Sequence, residues 1–151
     1  MKKTIKFTPP DYIWIFIISG IILYYFLPLK QIIFPPFNYS GILLIILGAY
    51  LNFVWVYFIF RKEKTTVNPY EIPRKLVSYG AFRISRNPTY LGMALLLVGL
   101  AVLLGSVSPF ILPIIFVILT NLFVIPIEER NLEKKFGKKY EDYKKRVRRW
   151  I

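Results

Sequence analysis

Four apolar runs alternate with short polar segments along the chain. They cover residues 12–27, 41–60, 91–104 and 110–127, and the last two contain no charged residue. A helix of about 20 residues crosses the hydrocarbon of a bilayer. The second and fourth runs meet that length, the first is slightly short, and the third needs residues 88–90 as well. The pattern therefore predicts an all-α integral membrane protein with about four transmembrane helices.

A further helix is predicted after the fourth run. Apolar side chains recur there every three or four residues and form one stripe, with most of the lysines off it. The stripe consists of Leu132, Phe136, Tyr140, Tyr143 and Val147. Such an amphipathic cytoplasmic helix either lies on the membrane or packs as a lid over a site, and both interpretations stay open. Gly137 is a weak point at which the helix is expected to bend.

Charge indicates the orientation of the spans. Of the 21 basic residues, three precede the first run, one follows it, seven lie between the second and third, and ten follow the fourth. The positive-inside rule then places both termini and the middle loop in the cytoplasm of a multi-pass cell-membrane protein. Topology and attraction to anionic headgroups explain the net charge of +13. Nucleic-acid binding is not expected, because no recognition module is visible.

The composition narrows the chemistry and the domain organisation. The chain has no Cys and no His, which removes disulfides, thiol nucleophiles, histidine bases and the usual metal sites. Any reaction must use carboxylates, Tyr, Arg, Lys, Asn, the backbone and a bound cofactor. We expect a single structural domain, with a two-span membrane segment over residues 1–66 and a functional core over residues 67–151.

Two short polar clusters flank the third and fourth runs. Residues 86–90 (Arg-Asn-Pro-Thr-Tyr) precede the third run, and residues 128–130 (Glu-Glu-Arg) follow the fourth. Residues 105–109 form the one plausible turn between these runs, so the chain crosses the membrane and returns. The two clusters then meet on one membrane face. An arginine beside carboxylates, where lipid meets water, indicates a site.

Each polar side chain here has a functional and a plainer interpretation. Glu128 or Glu129 could accept hydrogen bonds from a vicinal diol such as ribose or balance a cation, or could be a solvated helix end. Arg86 suits a carboxylate through its forked donors, or anchors a helix at the membrane. Tyr90 could offer its ring to a cationic ligand. Asn121 is a candidate for substrate contact or for packing.

The segment 76–83 in the middle loop is too apolar for a solvated linker and too short for a span. It is either a re-entrant or interfacial segment that covers a pocket, or an ordinary interfacial helix. Gly80 would allow a turn or the close approach of a ligand there. Pro88 suits the first turn of the next helix, whose free amides favour anionic groups.

Taken in order, these residues resemble a known family. The pattern runs through Lys75-Leu76-Val77, Gly80-Ala81-Phe82, Arg86-Asn87-Pro88-x-Tyr90-x-Gly92, Glu128-Glu129, Leu132, Phe136-Gly137, Tyr140 and Tyr143. It is similar to the isoprenylcysteine carboxyl methyltransferase family and to the related membrane phospholipid methyltransferases. The resemblance implies an integral-membrane enzyme that uses S-adenosylmethionine without a dinucleotide-binding domain, and no glycine-rich fingerprint follows a strand in this chain.

The resemblance also assigns the cofactor contacts by position. They fall on Arg74, Lys75, Leu76, Val77, Phe82, Asn87, Pro88, Thr89, Tyr90 and Glu128. Two positions depart from the family. Asn87 stands where the family commonly has His, and it keeps a donor and an acceptor but cannot carry a proton. Val124 stands where the prenyl-protein enzymes have an Arg that meets the substrate carboxylate, so we expect a substrate other than a prenylated cysteine.

The expected function is methyl transfer from S-adenosylmethionine to a lipophilic carboxylate or amine at the cytoplasmic face. Arg86, as the recognition group for a carboxylate, and Glu129, as a local base for an amine or hydroxyl, are the candidate catalytic residues. The substrate is expected to be a lipid or another lipophilic small molecule from the bilayer, and the oligomeric state stays open. The alternative is a non-catalytic membrane module that binds anionic lipid or a partner through its basic face.

Overall fold

The computed structural model of the chain describes residues 9–64 and 73–151, and its regular elements there are all helical. The predicted boundary at residue 66 lies outside these residues. The longer helices are α1 (Pro9–Phe26), α2 (Phe37–Glu63), α3 (Pro88–Leu104), α4 (Ser108–Phe136) and α5 (Lys138–Arg146), and a short 3₁₀ helix, Gly80–Arg83, lies in the middle loop. This confirms the all-helical fold class for the part of the chain that is described.

Helices α2 and α4 have 27 and 29 residues and are long and apolar enough to cross a membrane, whereas the apolar helices α1 and α3 are shorter. Length and composition therefore identify two of the four predicted spans. Large apolar side chains such as Ile18, Phe53 and Leu122 are exposed on the outer faces of the helices. An apolar outer surface of this kind is what a bilayer would cover.

Helices α2 and α3 approach each other at glycines. A Cβ atom added to Gly48 would lie 2.5 Å from the carbonyl oxygen of Gly92, and one added to Gly99 would lie 2.7 Å from that of Gly41. Neither distance is possible for a real side chain. The absence of side chains at these positions lets the two backbones touch, as in many packed membrane helices.

Both long helices contain a π-helical segment, Tyr50–Val56 in α2 and Thr120–Val124 in α4. In α4 the hydroxyl of Thr120 donates a 2.7 Å hydrogen bond to the carbonyl of Phe116. A π-helical turn holds an extra residue and changes which side chains face inwards. In α4 this change comes just before the polar end of the helix.

The helices alternate in direction, so both short connections lie at one end of the bundle. The amide of Ile32 donates to the carbonyl of Gly105 at 2.8 Å, and that of Val107 donates to the carbonyl of Lys30 at 2.9 Å. Gly105 has a φ of +72° and ends α3. The opposite end, which we call the basic end, holds residues 73–87, the end of α4, and α5.

The predicted C-terminal helix is divided in two. Gly137 has a φ of +47° and separates α4 from α5. On α5, Tyr140 and Tyr143 are buried, and the hydroxyl of Tyr143 donates a 2.6 Å hydrogen bond to the carbonyl of Phe82. Two residues of the predicted stripe therefore pack against the protein.

Candidate active site

The start of α3 and the polar end of α4 meet at the basic end. Pro88 occupies the first turn of α3. Tyr90 follows on the buried side of the helix, and its hydroxyl donates a 2.6 Å hydrogen bond to Oε1 of Glu128. The two predicted polar clusters thus come together through these side chains. The contact holds a carboxylate among apolar neighbours, where it would otherwise be costly.

Arg86 and Glu129 form an ion pair beside this contact. Nη1 of Arg86 lies 2.9 Å from Oε1 of Glu129, and both side chains are only 11% exposed. The pair is not aligned as a hydrogen bond, and the buried Nε and Nη1 of Arg86 donate to no acceptor among the described residues. Buried donors of this kind normally have a partner. For Nη1 the nearby partner is the carboxylate of Glu129, at ion-pair distance.

Tyr140 of α5 lies beside the ion pair of Arg86 and Glu129. Burial raises the pKa of Tyr140 to about 12; the charge of Glu129 adds to this shift and that of Arg86 opposes it. Burial also raises the pKa of Tyr143, which stands next to Tyr140 with a distance of 6.0 Å between ring centroids. Both phenols consequently stay protonated at neutral pH and can serve as hydrogen-bond donors.

Residues 147–151, which we call the strap, lie without regular secondary structure across the corner that precedes α3. The amide of Arg86 donates to the carbonyl of Arg148 at 3.0 Å. The carbonyl of Arg149 accepts hydrogen bonds from Asn87 Nδ2 at 2.9 Å and from Ser85 Oγ at 3.1 Å. The side chain of Asn87, predicted to contact a cofactor, is thus used to hold the strap.

The strap delivers an arginine that the sequence analysis did not identify. Arg149 donates to both oxygens of Glu129, from Nη2 at 2.5 Å and from Nε at 3.3 Å. Its Nη1 donates to Oδ1 of Asn121 at 3.1 Å, and Trp150 Nε1 donates to the same oxygen at 3.4 Å. The predicted substrate residue Asn121 therefore faces the polar cluster. The sequence signal that could have pointed to Arg149 is the basic pair Arg148-Arg149, followed by Trp150, directly after the end of the apolar stripe.

The cofactor candidates Arg74, Lys75 and Leu76 lie apart from the Tyr90–Glu128 contact. They line a cavity of about 530 Å³ together with Ser78, Phe136, Lys139, Asp142, Tyr143 and Arg146. The lining contains four basic side chains and one acidic one, so the cavity favours an anionic group. Tyr143 connects the two regions, since it lines this cavity and packs on Tyr140.

Three other cofactor candidates contact α2. Val77 belongs to a buried apolar cluster with Val56 and Ile59 of α2. The ring of Phe82 packs edge-on against Phe60 with 5.6 Å between centroids. Gly80 has a φ of +61°, and a Cβ there would lie 2.8 Å from Ile59 Cδ1. Turn and packing account for this glycine.

The remaining candidates lie in the corner itself, where Asn87 and Pro88 are buried and Thr89 is half-buried. Among residues 9–64 and 73–151, no group of three or more acidic side chains could hold a metal ion. The polar groups that do converge are two carboxylates, two arginines, an asparagine and two tyrosines. Such a set can bind a zwitterionic or anionic ligand and can hold an acceptor close to a donor.

A model of the phospholipid methyltransferase family matches residues 37–139. The chain belongs to the phospholipid methyltransferase family. The match begins with α2 and ends at the second residue of α5, so it contains both partners of the Tyr90–Glu128 contact, whereas the strap lies beyond it. The resemblance found in the sequence is thereby confirmed.

Curated relatives agree with this family. A protein of rice, in both the indica and japonica subspecies, is named a probable protein-S-isoprenylcysteine O-methyltransferase. It is 30% identical over 113 residues, which are 73% of this chain and 58% of the rice protein, so the chain spans less than two thirds of that relative. An uncharacterized protein of Haemophilus influenzae is 42% identical over 62 residues, 41% of this chain and 98% of that protein. Family and relatives support a membrane methyltransferase.

Proposed function

We propose that the chain is a multi-pass cell-membrane methyltransferase that uses S-adenosylmethionine and acts on a lipophilic acceptor at the cytoplasmic face. The observation that carries the proposal is the convergence of Tyr90, Glu128, Arg86 and Glu129 at one end of the bundle, inside the part of the chain that matches the family.

In this proposal α1, α2, α3 and α4 all cross the bilayer. The connections of α1 to α2 and of α3 to α4 share one end and contain a single charged residue, Lys30. Of the other basic residues, those in the described part of the chain lie towards the basic end, which the positive-inside rule assigns to the cytoplasm. With 17 residues, α3 spans about 26 Å, slightly less than the hydrocarbon core of about 30 Å.

The residues present fit the proposed cofactor. Glu128, positioned by Tyr90, can balance a positive charge or accept hydrogen bonds from a ribose diol. The basic cavity with Arg74 and Lys75 can receive a carboxylate, and Tyr143 lies between the two regions. When bound, the cofactor supplies a methyl group on a sulfonium that is already activated for in-line displacement.

The residues then have to hold an acceptor at about 3 to 3.5 Å from that methyl group and keep water away. Arg86 and Arg149 hold Glu129, and both oxygens of this carboxylate are engaged by their guanidinium groups. Glu129 is therefore better placed to orient the two arginines than to accept a proton from an amine. Tyr140, which stays protonated, closes the cluster on the side of α5.

The test uses purified protein in detergent and a titration with S-adenosylmethionine followed by calorimetry. The proposal expects saturable binding, and membranes that contain the protein should transfer a labelled methyl group from the cofactor to a component of the lipid extract. Absence of binding at millimolar cofactor, together with salt-sensitive binding to anionic liposomes, would instead favour the non-catalytic membrane module.

A further inference from the structure

The strap carries Arg149 to a defined position at the edge of the polar cluster. Its backbone is held on the corner by Asn87 and Ser85. The side chain of Arg149 remains 33% exposed, whereas that of Glu129 is 11% exposed. Arg149 is thus the accessible member of the Glu129 ion pairs, and Arg86 is the buried one.

The guanidinium of Arg149 has N–H groups beyond those that bind Glu129 and Asn121. It has five N–H groups, and three of its hydrogen bonds are to Glu129 and Asn121. One N–H on each terminal nitrogen is left over. Glu129 takes the edge formed by Nε and Nη2, and Asn121 adds a third point of attachment, so the plane of the guanidinium is held in one orientation.

The charges around Arg149 determine which kind of ligand this edge of the site prefers. Arg86 and Arg149 share the single carboxylate of Glu129. Glu128 is turned towards Tyr90 and, in the proposed function, serves the cofactor. With the charge of Glu128 assigned to the cofactor, two guanidinium groups face the single carboxylate of Glu129, and the edge next to Arg149 has one positive charge in excess. In a partly dehydrated place such an excess favours an anion and disfavours an ammonium group.

We propose that Arg149 is the specificity-determining residue that selects the methyl acceptor, by donating its two remaining N–H groups to an anionic head group. This inference rests on the proposed function and narrows it, because it favours an amphiphile with a carboxylate or a phosphate over an amine. Asn121 and Glu129 act as positioning residues that hold the guanidinium, and Trp150 holds Asn121 from the other side.

The experiment compares three amphiphiles of equal chain length on full-length protein in phosphatidylcholine nanodiscs. Dodecanoate and dodecyl phosphate represent the two possible anions, and dodecylamine represents the cation. Calorimetry measures the binding of each to the wild type, to Arg149→Gln, and to the matched control Arg148→Gln. The control loses the same charge one residue away, from an exposed position. S-adenosylmethionine binding is measured for every protein.

We expect the wild type and Arg148→Gln to bind at least one anion about tenfold more tightly than dodecylamine, as a charge-assisted hydrogen bond would allow. In Arg149→Gln this ratio should fall to about one, with cofactor binding retained. Whichever of dodecanoate and dodecyl phosphate shows the larger ratio identifies the head group. Arg149→Lys keeps the charge but loses the fork, and should fall between the wild type and Arg149→Gln.

A preference that persists in Arg149→Gln, or one that Arg148→Gln also loses, would overturn the assignment, and so would tighter binding of dodecylamine to the wild type. If Arg149→Gln does not fold, Arg149→Lys, which leaves a positive charge beside Glu129, serves in its place, and an unchanged wild-type ratio in Arg149→Lys would then overturn the assignment. A wild type that binds no S-adenosylmethionine would refute the proposed function itself, whereas cofactor binding without anion preference would refute the role of Arg149 alone.

Discussion

The hydroxyl of Tyr90 lies 2.6 Å from Oε1 of Glu128, although 38 positions separate the two residues along the chain. The contact joins the first turn of α3 to the polar end of α4. It exists because α3 and α4 run in opposite directions and are joined by a short connection at the other end of the bundle. Substitutions at this contact and in the elements around it have measurable consequences.

Glu128→Gln should weaken S-adenosylmethionine binding at least about tenfold. Glutamine can still accept the hydrogen bond from Tyr90, but it has lost the charge, and hydrogen bonds to charged groups contribute about 1.5–3 kcal/mol. Calorimetry in detergent measures the change. Lys138→Ala, on the exposed start of α5, is the matched control; equal losses in both variants would mean that the cofactor binds elsewhere.

Asn87→Ala should loosen the strap. The substitution removes the 2.9 Å hydrogen bond to the carbonyl of Arg149 and leaves the one from Ser85. A loss of about 1 kcal/mol would raise the population of the open strap, and hence trypsin cleavage after Arg148 or Arg149, roughly fivefold. Limited proteolysis followed by mass spectrometry gives the rate. The exposed Ser78→Ala should leave it unchanged.

Gly48→Ala should destabilise the protein, although alanine favours helices by about 1 kcal/mol over glycine. The new Cβ would lie 2.5 Å from the carbonyl oxygen of Gly92, where the backbone cannot yield easily. We expect a lower thermal midpoint in detergent, from a cost of about 1–3 kcal/mol. Gly20→Ala makes the same change on α1, where the Cβ meets only side-chain ends at 3.2 Å and 3.5 Å. A stabilised Gly48→Ala would contradict the α2–α3 contact.

Gly137→Ala tests the break between α4 and α5. The space beside this glycine is open, so a Cβ meets no atom within 4 Å, but the φ of +47° disfavours alanine. We expect the strained backbone conformation alone to lower the free energy of unfolding by about 1–3 kcal/mol. Thermal unfolding should show the loss, and fluorescence quenching should show greater exposure of Tyr140 and Tyr143. An unchanged midpoint would mean that α5 packs independently of this turn.

The helices, their order and the meeting of the two polar clusters could be predicted from the sequence. Apolar runs bounded by proline, glycine and charge indicate helix ends, and a hairpin brings its own ends together. Thus Tyr90 and Glu128 were predicted to share one membrane face, and the described structure places them in contact. Their functional roles remain predictions.

Other features depend on tertiary contacts that no local pattern encodes. Arg148 and Arg149 look like two more positive-inside charges, and only the folded chain shows that the second of them reaches Glu129 and Asn121. Val77, a predicted cofactor contact, packs its side chain on α2, and no local pattern indicates that contact. The π-helical turns are equally hidden, because they add a residue to a helix without changing its composition.

The glycine contacts between α2 and α3 also restrict the route by which the proposed acceptor could pass from the bilayer into the site. Where Gly41 meets Gly99 and Gly48 meets Gly92, the gap is too narrow for one methyl group, and a hydrocarbon chain is thicker than that. At these two levels the bilayer has no lateral entrance between the pair. In the proposed function, a lipid acceptor would therefore reach Arg149 along a different side of α3.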